Sequence, residues 1–345
     1  MATEWRWIKR YAQQFEACGV KASEAVAVFY ESGSRGAIVE TTRLALASLG
    51  CHVVDIVVPS PANDSPVPVR STGASQAIGN NPIVLAALQS ADFVADCTVE
   101  GLLHAPELAA ILGANTRILM ISNEHPENVD RWPHDVSLAV RVQRGVDLLQ
   151  TSTQMSVTSE AGTDLVISLA DAFCAGSRGW TDQPGDIAHW PGGLVLAFPA
   201  ANAVNGVLVL DVGDVNLTFK RYQESRVTLR IVDDYIVDIE GSGLDAELFR
   251  SYLASFGEAE AYAVSHVGWG MNTAARWEVM AMWDKAEING TELRAFAGNF
   301  LFSTGANEVA GRFCRGHFDL PMRNCTVKLD DKTVVQHGQL TGLLT

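Results

Sequence analysis

The chain reads as an α/β protein. An N-terminal Rossmann-like parallel-sheet domain is expected over residues 1–155, and a mixed, sheet-rich α+β domain over 156–345. Three observations predict this. Apolar strand-like runs and helix-like segments alternate as far as residue 150, and strand–helix–strand order joins parallel neighbours through right-handed crossovers. Beyond about 156 the strands shorten, glycines multiply, and pairs of alternating segments replace that rhythm. With 345 residues, 48% hydrophobic and 19% charged, the chain suffices for one large or two medium domains with buried cores.

In order, Trp7, Ile8, Tyr11 and Phe15 share one face of a helix over 4–18. Ala25–Tyr30 is a buried strand, Gly33–Gly36 a turn, Ile38–Leu49 a helix and His52–Val58 the second strand. A Pro-rich loop covers 59–68. Helices at Pro82–Gln89, Ala105–Leu112 and Val136–Leu149 then alternate with strands at Phe93–Cys97 and Arg117–Ile121. The turn at 33–36 follows a strand, opens a helix and precedes Asp55 on the next strand, as a dinucleotide site would. It lacks the three glycines that let backbone approach a pyrophosphate, and Arg35 fills the tight turn, so nucleotide binding is not expected.

In the second domain, strands are expected at 156–159, 164–167, 206–212 and 227–232, the last turning at Asp233-Asp234 into a return strand that ends at Gly241. Leu244–Phe256 and the shorter Arg276–Asp284 are candidate helices, and 325–329 with 333–336 form a closing hairpin.

A net charge of -15 argues against nucleic acid and against anionic membranes, both of which reward Lys and Arg clusters. The charged, aromatic N-terminus is no secretory signal. The most apolar region, Leu194–Leu210, is broken by Pro199, Asn202, Asn205 and Gly206 and is too interrupted to span a bilayer. A cytoplasmic location is expected. The six cysteines are scattered without a Cys-x-x-Cys, which fits reduced thiols better than disulfides or a zinc site. An acidic chain with 8 Trp is expected to form a homo-oligomer.

Chemistry concentrates near the C-terminus. His317 and Asp319 stand two residues apart, so in an extended segment both face the same side and could grip one metal ion. His266 is the third candidate ligand, in Ser-His-Val-Gly-Trp-Gly (265–270), where glycines at 268 and 270 mark a close approach. The bland alternative for His266 is a core histidine near a turn. Two imidazoles and one carboxylate on one face of an octahedron leave three positions open, the facial triad of non-haem Fe(II) oxygenases.

Six motifs carry a resemblance: 265–270, Arg-Ala-Phe-Ala-Gly-Asn-Phe-Leu-Phe-Ser-Thr-Gly at 294–305, His-Phe-Asp-Leu-Pro-Met-Arg-Asn-Cys at 317–325, Val-Leu-Asp-Val-Gly-Asp at 209–214, Leu-Leu-His-Ala-Pro-Glu at 102–107, and His189-Trp190-Pro191. Together they resemble the bacterial 2,5-dihydroxypyridine 5,6-dioxygenase family through nearly the whole chain, most strongly after residue 189. The resemblance implies a mononuclear Fe(2+) enzyme of nicotinate degradation, on a fold shared with a class of metallo-aminopeptidases. Such an enzyme opens its hydroxypyridine ring between C5 and C6 with O2, giving N-formylmaleamate.

By the same resemblance the iron ligands fall on His266, His317 and Asp319. His104 and His189 fall on catalytic acid–base or substrate-binding positions, with His104 preferred as proton donor and helix capping as its alternative. Arg294 would hold the anionic ring or serve as a structural ion pair. Ser303 and Thr304 would donate hydrogen bonds to the substrate or shape a turn. The stretches 171–188 and 310–316 depart from the family pattern. His52, His125, His134 and His337 lack comparable context and are taken as surface or structural. The rival readings are a two-metal aminopeptidase-like hydrolase, with Glu308, Glu278 and Asp284 as extra carboxylates, and a non-catalytic binding protein on the same scaffold.

Overall fold

The computed structural model describes residues 3–62, 75–121, 123–342 and 344–345. The expected Pro-rich loop at 59–68 lies outside the described residues from 63 onward. The first half runs α1 (Trp5–Ala17), β1 (Ala25–Glu31), α2 (Gly36–Ser48), β2 (His52–Val58), α3 (Pro82–Gln89), β3 (Phe93–Asp96), α4 (Leu108–Gly113), β4 (Arg117–Ile121), α5 (Pro126–Asp130) and α6 (Val136–Thr151). Apolar spacing places α1, which buries Trp7, Ile8, Tyr11 and Phe15. Asn81 starts α3 by accepting from the Ile83 and Val84 amides, with Pro82 at the first helical position. The four strands pair in parallel in the order β2-β1-β3-β4.

The second half continues with β5 (Gln154–Thr158), β6 (Asp164–Ser168), β7 (Phe173–Ser177), β8 (Ile187–Trp190), β9 (Leu194–Phe198), β10 (Val204–Leu210), β11 (Val215–Asn216), β12 (Arg221–Tyr222), β13 (Val227–Val232) and β14 (Tyr235–Glu240). Then come α7 (Leu244–Ser255), β15 (Val264–Gly270), α8 (Val279–Met282), α9 (Thr291–Ala295), β16 (Phe300–Asn307), β17 (Arg312–Met322), β18 (Thr326–Leu329), β19 (Lys332–Gln336) and β20 (Gln339–Leu340). β8 returns to the first sheet and pairs parallel with β4, although it lies well past residue 155.

The remaining strands are antiparallel. One sheet runs β14-β13-β10-β6-β5-β18-β19-β20, another β17-β16-β15-β9-β7, and β11 pairs with β12. Asp233 and Asp234 take φ of 47° and 74°, the left-handed pair a tight hairpin needs. The main core of this half draws on both large sheets, α6 and α7, with Trp269, Phe249, Phe300 and Phe318 fully buried.

Two expected elements differ. The helix anticipated over Arg276–Asp284 shrinks to α8, because Trp277 and Val279 pack with Val215, Leu217 and Leu293 in a small separate cluster. The helix anticipated from Ala105 starts at Leu108 with Glu107 in the cap position, so His104 does not cap it. Among the described residues no helix is long and apolar enough to cross a membrane, and all six cysteines are free.

Candidate metal centre

Strand register builds the site. β15 lies between β9 and β16, and β16 pairs with β17 so that Ser303 faces Asp319 and Gly305 faces His317. With the two-residue period of a strand, His317 and Asp319 therefore share one face. His266 sits in a stretch of β15 where the register shifts between Val264 and Val267. A bulge of this kind re-aims a side chain. The Ser303 hydroxyl secures it, accepting from the His266 N–H and donating to the His266 carbonyl, each at 3.0 Å. The glycines expected to mark a close approach do so for backbone: any side chain at Gly270 would collide with the Phe296 carbonyl, which lets α9 lie against β15.

Metal-ligand atoms of His266, His317 and Asp319 lie within 4.8 Å of one another, and all three residues are buried. Asp319 Oδ1 is 3.3 Å from His317 Nε2 and 3.7 Å from His266 Nε2. Burial opposes ionisation of Asp319, but the Arg294 guanidinium and His317 hold it well below the usual carboxylate range. The His266 ring is pushed down to about 3, first by burial, so it is neutral and able to ligate. Its ring centroid lies 5.3 Å from that of Phe198, in an edge-to-face arrangement. The Tyr252 hydroxyl donates to the His317 carbonyl at 3.1 Å.

The two oxygens of Asp319 have different fates. Oδ2 accepts from Arg294 Nε at 2.6 Å, whereas Oδ1 is buried without a protein hydrogen-bond partner. A buried anionic oxygen left beside two imidazole nitrogens is costly unless something cationic completes it. The donor set of two imidazoles and one carboxylate fits a divalent metal ion.

His104 stands next to this cluster. Its ring centroid is 5.7 Å from that of His317, and its Nδ1 is 3.8 Å from Glu308 Oε1, an ion-pair distance rather than a hydrogen bond. Glu308 lies on the turn between β16 and β17, and its carboxyl is held below its ordinary value, first by His104. His189, on β8, is placed instead beside α9, with Nε2 3.4 Å from Thr291 Oγ1. Burial, then Arg294, pushes it down to about 4.

The geometry bears on three expected roles. Arg294 pairs with Asp319 at 2.6 Å, which is the ion-pair alternative, and its partner is a candidate ligand. Ser303 is within a strand, not a turn, and its one proton goes to the His266 carbonyl, leaving none for a substrate. Thr304 pairs with Phe318 and so points to the face opposite His317 and Asp319. Among the described residues, the triad is the one cluster of three or more His, Cys, Asp or Glu with metal-ligand spacing; Glu278, Asp284 and Glu308 do not join it. Arg35, in the turn that resembled a nucleotide site, donates to the Ala286 carbonyl at 2.8 Å and pairs with Glu287 at 3.6 Å. Glu124 and Thr291 are among the buried polar groups that were not singled out from sequence.

Comparison with known proteins gives a consistent answer. The profile of the 2,5-dihydroxypyridine 5,6-dioxygenase family matches residues 6–342. The chain is 40% identical over 268 residues to the 2,5-dihydroxypyridine 5,6-dioxygenase of Pseudomonas putida KT2440, covering 77% of this chain and 75% of that protein. The solved structure of the 2,5-dihydroxypyridine dioxygenase from that organism superposes with a TM-score of 0.91 at 34% identity, covering 97% of each chain. AmpT from Thermus thermophilus shares the fold at a TM-score of 0.65 and 12% identity, covering 97% of this chain and 99% of its own.

Proposed function

The chain belongs to the 2,5-dihydroxypyridine 5,6-dioxygenase family, and from that premise we propose that it opens 2,5-dihydroxypyridine between C5 and C6 with O2. Both oxygen atoms enter the product, N-formylmaleamate, and His266, His317 and Asp319 hold one Fe(II). The observation that carries the metal assignment is the buried, unpartnered Asp319 Oδ1 facing the two imidazoles. Bound there, ferrous iron would supply Lewis acidity toward the ring hydroxylate and one-electron chemistry with O2.

The chain's own groups do the rest. Arg294 compensates Asp319 and fixes its orientation through Oδ2, so that Oδ1 faces the imidazoles. Glu308 faces Nδ1 of His104 and favours the tautomer with its proton there, which leaves Nε2 as the proton acceptor. His104 Nε2 takes the proton of the ring 5-hydroxyl and returns it as the ring opens. His189, kept neutral by burial, offers a hydrogen-bonding nitrogen without adding charge. Burial of the triad keeps bulk water away from the reacting atoms.

The test is turnover under isotopically heavy O2 with Fe(II) and 2,5-dihydroxypyridine. Two heavy oxygen atoms in N-formylmaleamate are expected. Label arriving from water, or no product, would reject the assignment in favour of hydrolysis or simple binding.

A further inference from the structure

Glu124 follows β4 in the parallel sheet and is 1% exposed. Its Oε1 accepts from the Gly290 and Thr291 amides at 2.7 and 2.8 Å, and its Oε2 from the Asn289 amide at 3.0 Å. These amides open α9, so one buried carboxylate satisfies donors that a helix start leaves orphaned and complements its positive end. The backbone is shaped for it. Gly290 takes φ +98°, and a Cβ there would meet Leu217 Cδ2 at 2.6 Å.

From Glu124 the contacts run on without a break. Asn289, held through its amide, accepts Arg294 Nη1 on its backbone oxygen at 3.3 Å and on Oδ1 at 3.4 Å. Arg294 Nε reaches Asp319 Oδ2 at 2.6 Å. Thr291, one turn before Arg294, meets His189. A five-residue helix has little stability of its own, so its position depends on what holds its ends.

We propose that Glu124 is a positioning residue for the metal centre: by fixing the start of α9 it sets Asn289 and Arg294, and through them the oxygen that Asp319 presents to the ion. This rests on reading the triad as a metal site. A merely structural Glu124 would stabilise the loop without affecting metal binding.

The experiment titrates the metal-free full chain with Co(II) and reads both its visible absorption and its dissociation constant. Glu124→Gln keeps the volume but turns an amide NH2 toward a backbone N–H. It should weaken Co(II) binding by about tenfold to a hundredfold and alter the visible bands, with circular dichroism unchanged. In an Arg294→Ala background the same change should add nothing further, because its effect passes through Arg294. Wild-type affinity and spectrum in Glu124→Gln, or losses that multiply in the double variant, would overturn the proposal. If Glu124→Gln proves insoluble, Asn289→Ala decides. It retains the backbone bonds to Glu124 but loses Oδ1, so it should weaken Co(II) binding several-fold, and wild-type affinity would overturn the proposal. Wild-type protein that binds Co(II) but, loaded with Fe(II) instead, consumes no O2 with 2,5-dihydroxypyridine would reject the ring-cleavage reaction while leaving the positioning comparison intact.

Discussion

The parallel sheet and the antiparallel β15–β17 layer serve the site in different ways. Apart from His189, which lies within β8, the parallel sheet contributes from beyond the carboxyl ends of its strands: Arg35 after β1, His104 after β3 and Glu124 after β4. Open α/β sheets commonly place their functional groups at that edge. The antiparallel layer puts its candidate ligands inside strands, where the Ser303–Asp319 and Gly305–His317 pairings fix them. Atoms that must hold a metal geometry are thus locked by ladders and neighbouring side chains. The group assigned to proton transfer stands on a loop, next to the turn that carries Glu308.

The contrast is sharpest where the ladder itself is attacked. His266→Ala, His317→Ala or Asp319→Ala should each abolish metal retention and lower turnover at least about a thousandfold, judged by metal analysis of purified protein and oxygen uptake. A variant that kept its full metal content would break the distinction between strand and loop. His104→Ala should keep the metal and lose about a hundredfold to ten-thousandfold in kcat, because only proton transfer is removed. Normal turnover would mean that another group moves the proton.

Ser303→Ala leaves the His266 N–H and carbonyl without their hydroxyl partner, so about 1–3 kcal/mol of stability should be lost, measurable by denaturant unfolding. The same variant should bind metal more weakly, since the bulge that aims His266 loosens. Unchanged stability would show that the register alone holds it.

The smallest expected effect is a pH slope. His189 is lowered from 6.5 to about 4 in the folded chain, so between those values the unfolded chain binds the additional proton. That stability is present above pH 6.5 and is lost as pH falls, at up to about 1.4 kcal/mol per unit. His189→Gln should flatten this limb of the unfolding curve. An unchanged slope would place the proton uptake on other buried groups, His266 foremost.

What sequence could show follows the same division. β1 to β4 were legible because each is a run of apolar residues set off by a helix or a turn. β8 was not: Ile-Ala-His-Trp is too short to display a period, and its partner β4 ends 66 residues earlier in a different stretch of chain. β15 was obscured by Gly268 and Gly270, which ordinarily weaken a strand, yet here they admit the backbones of Val195 and Phe296. The triad was legible because two of its members lie two residues apart and all three sit in long motifs. The partner of Arg294 was not, since an isolated arginine does not say which carboxylate it will meet. Glu124 was invisible for a stronger reason: its partners are backbone amides 165 to 167 residues away, and amides carry no sequence signature.

The most direct measurement is an anaerobic Fe(II) titration of the metal-free chain, followed at each point by oxygen uptake with 2,5-dihydroxypyridine. Activity should rise to a plateau at one iron per chain, with one O2 consumed for each ring opened. A plateau that requires two metal ions, or undiminished activity without iron, would contradict the account.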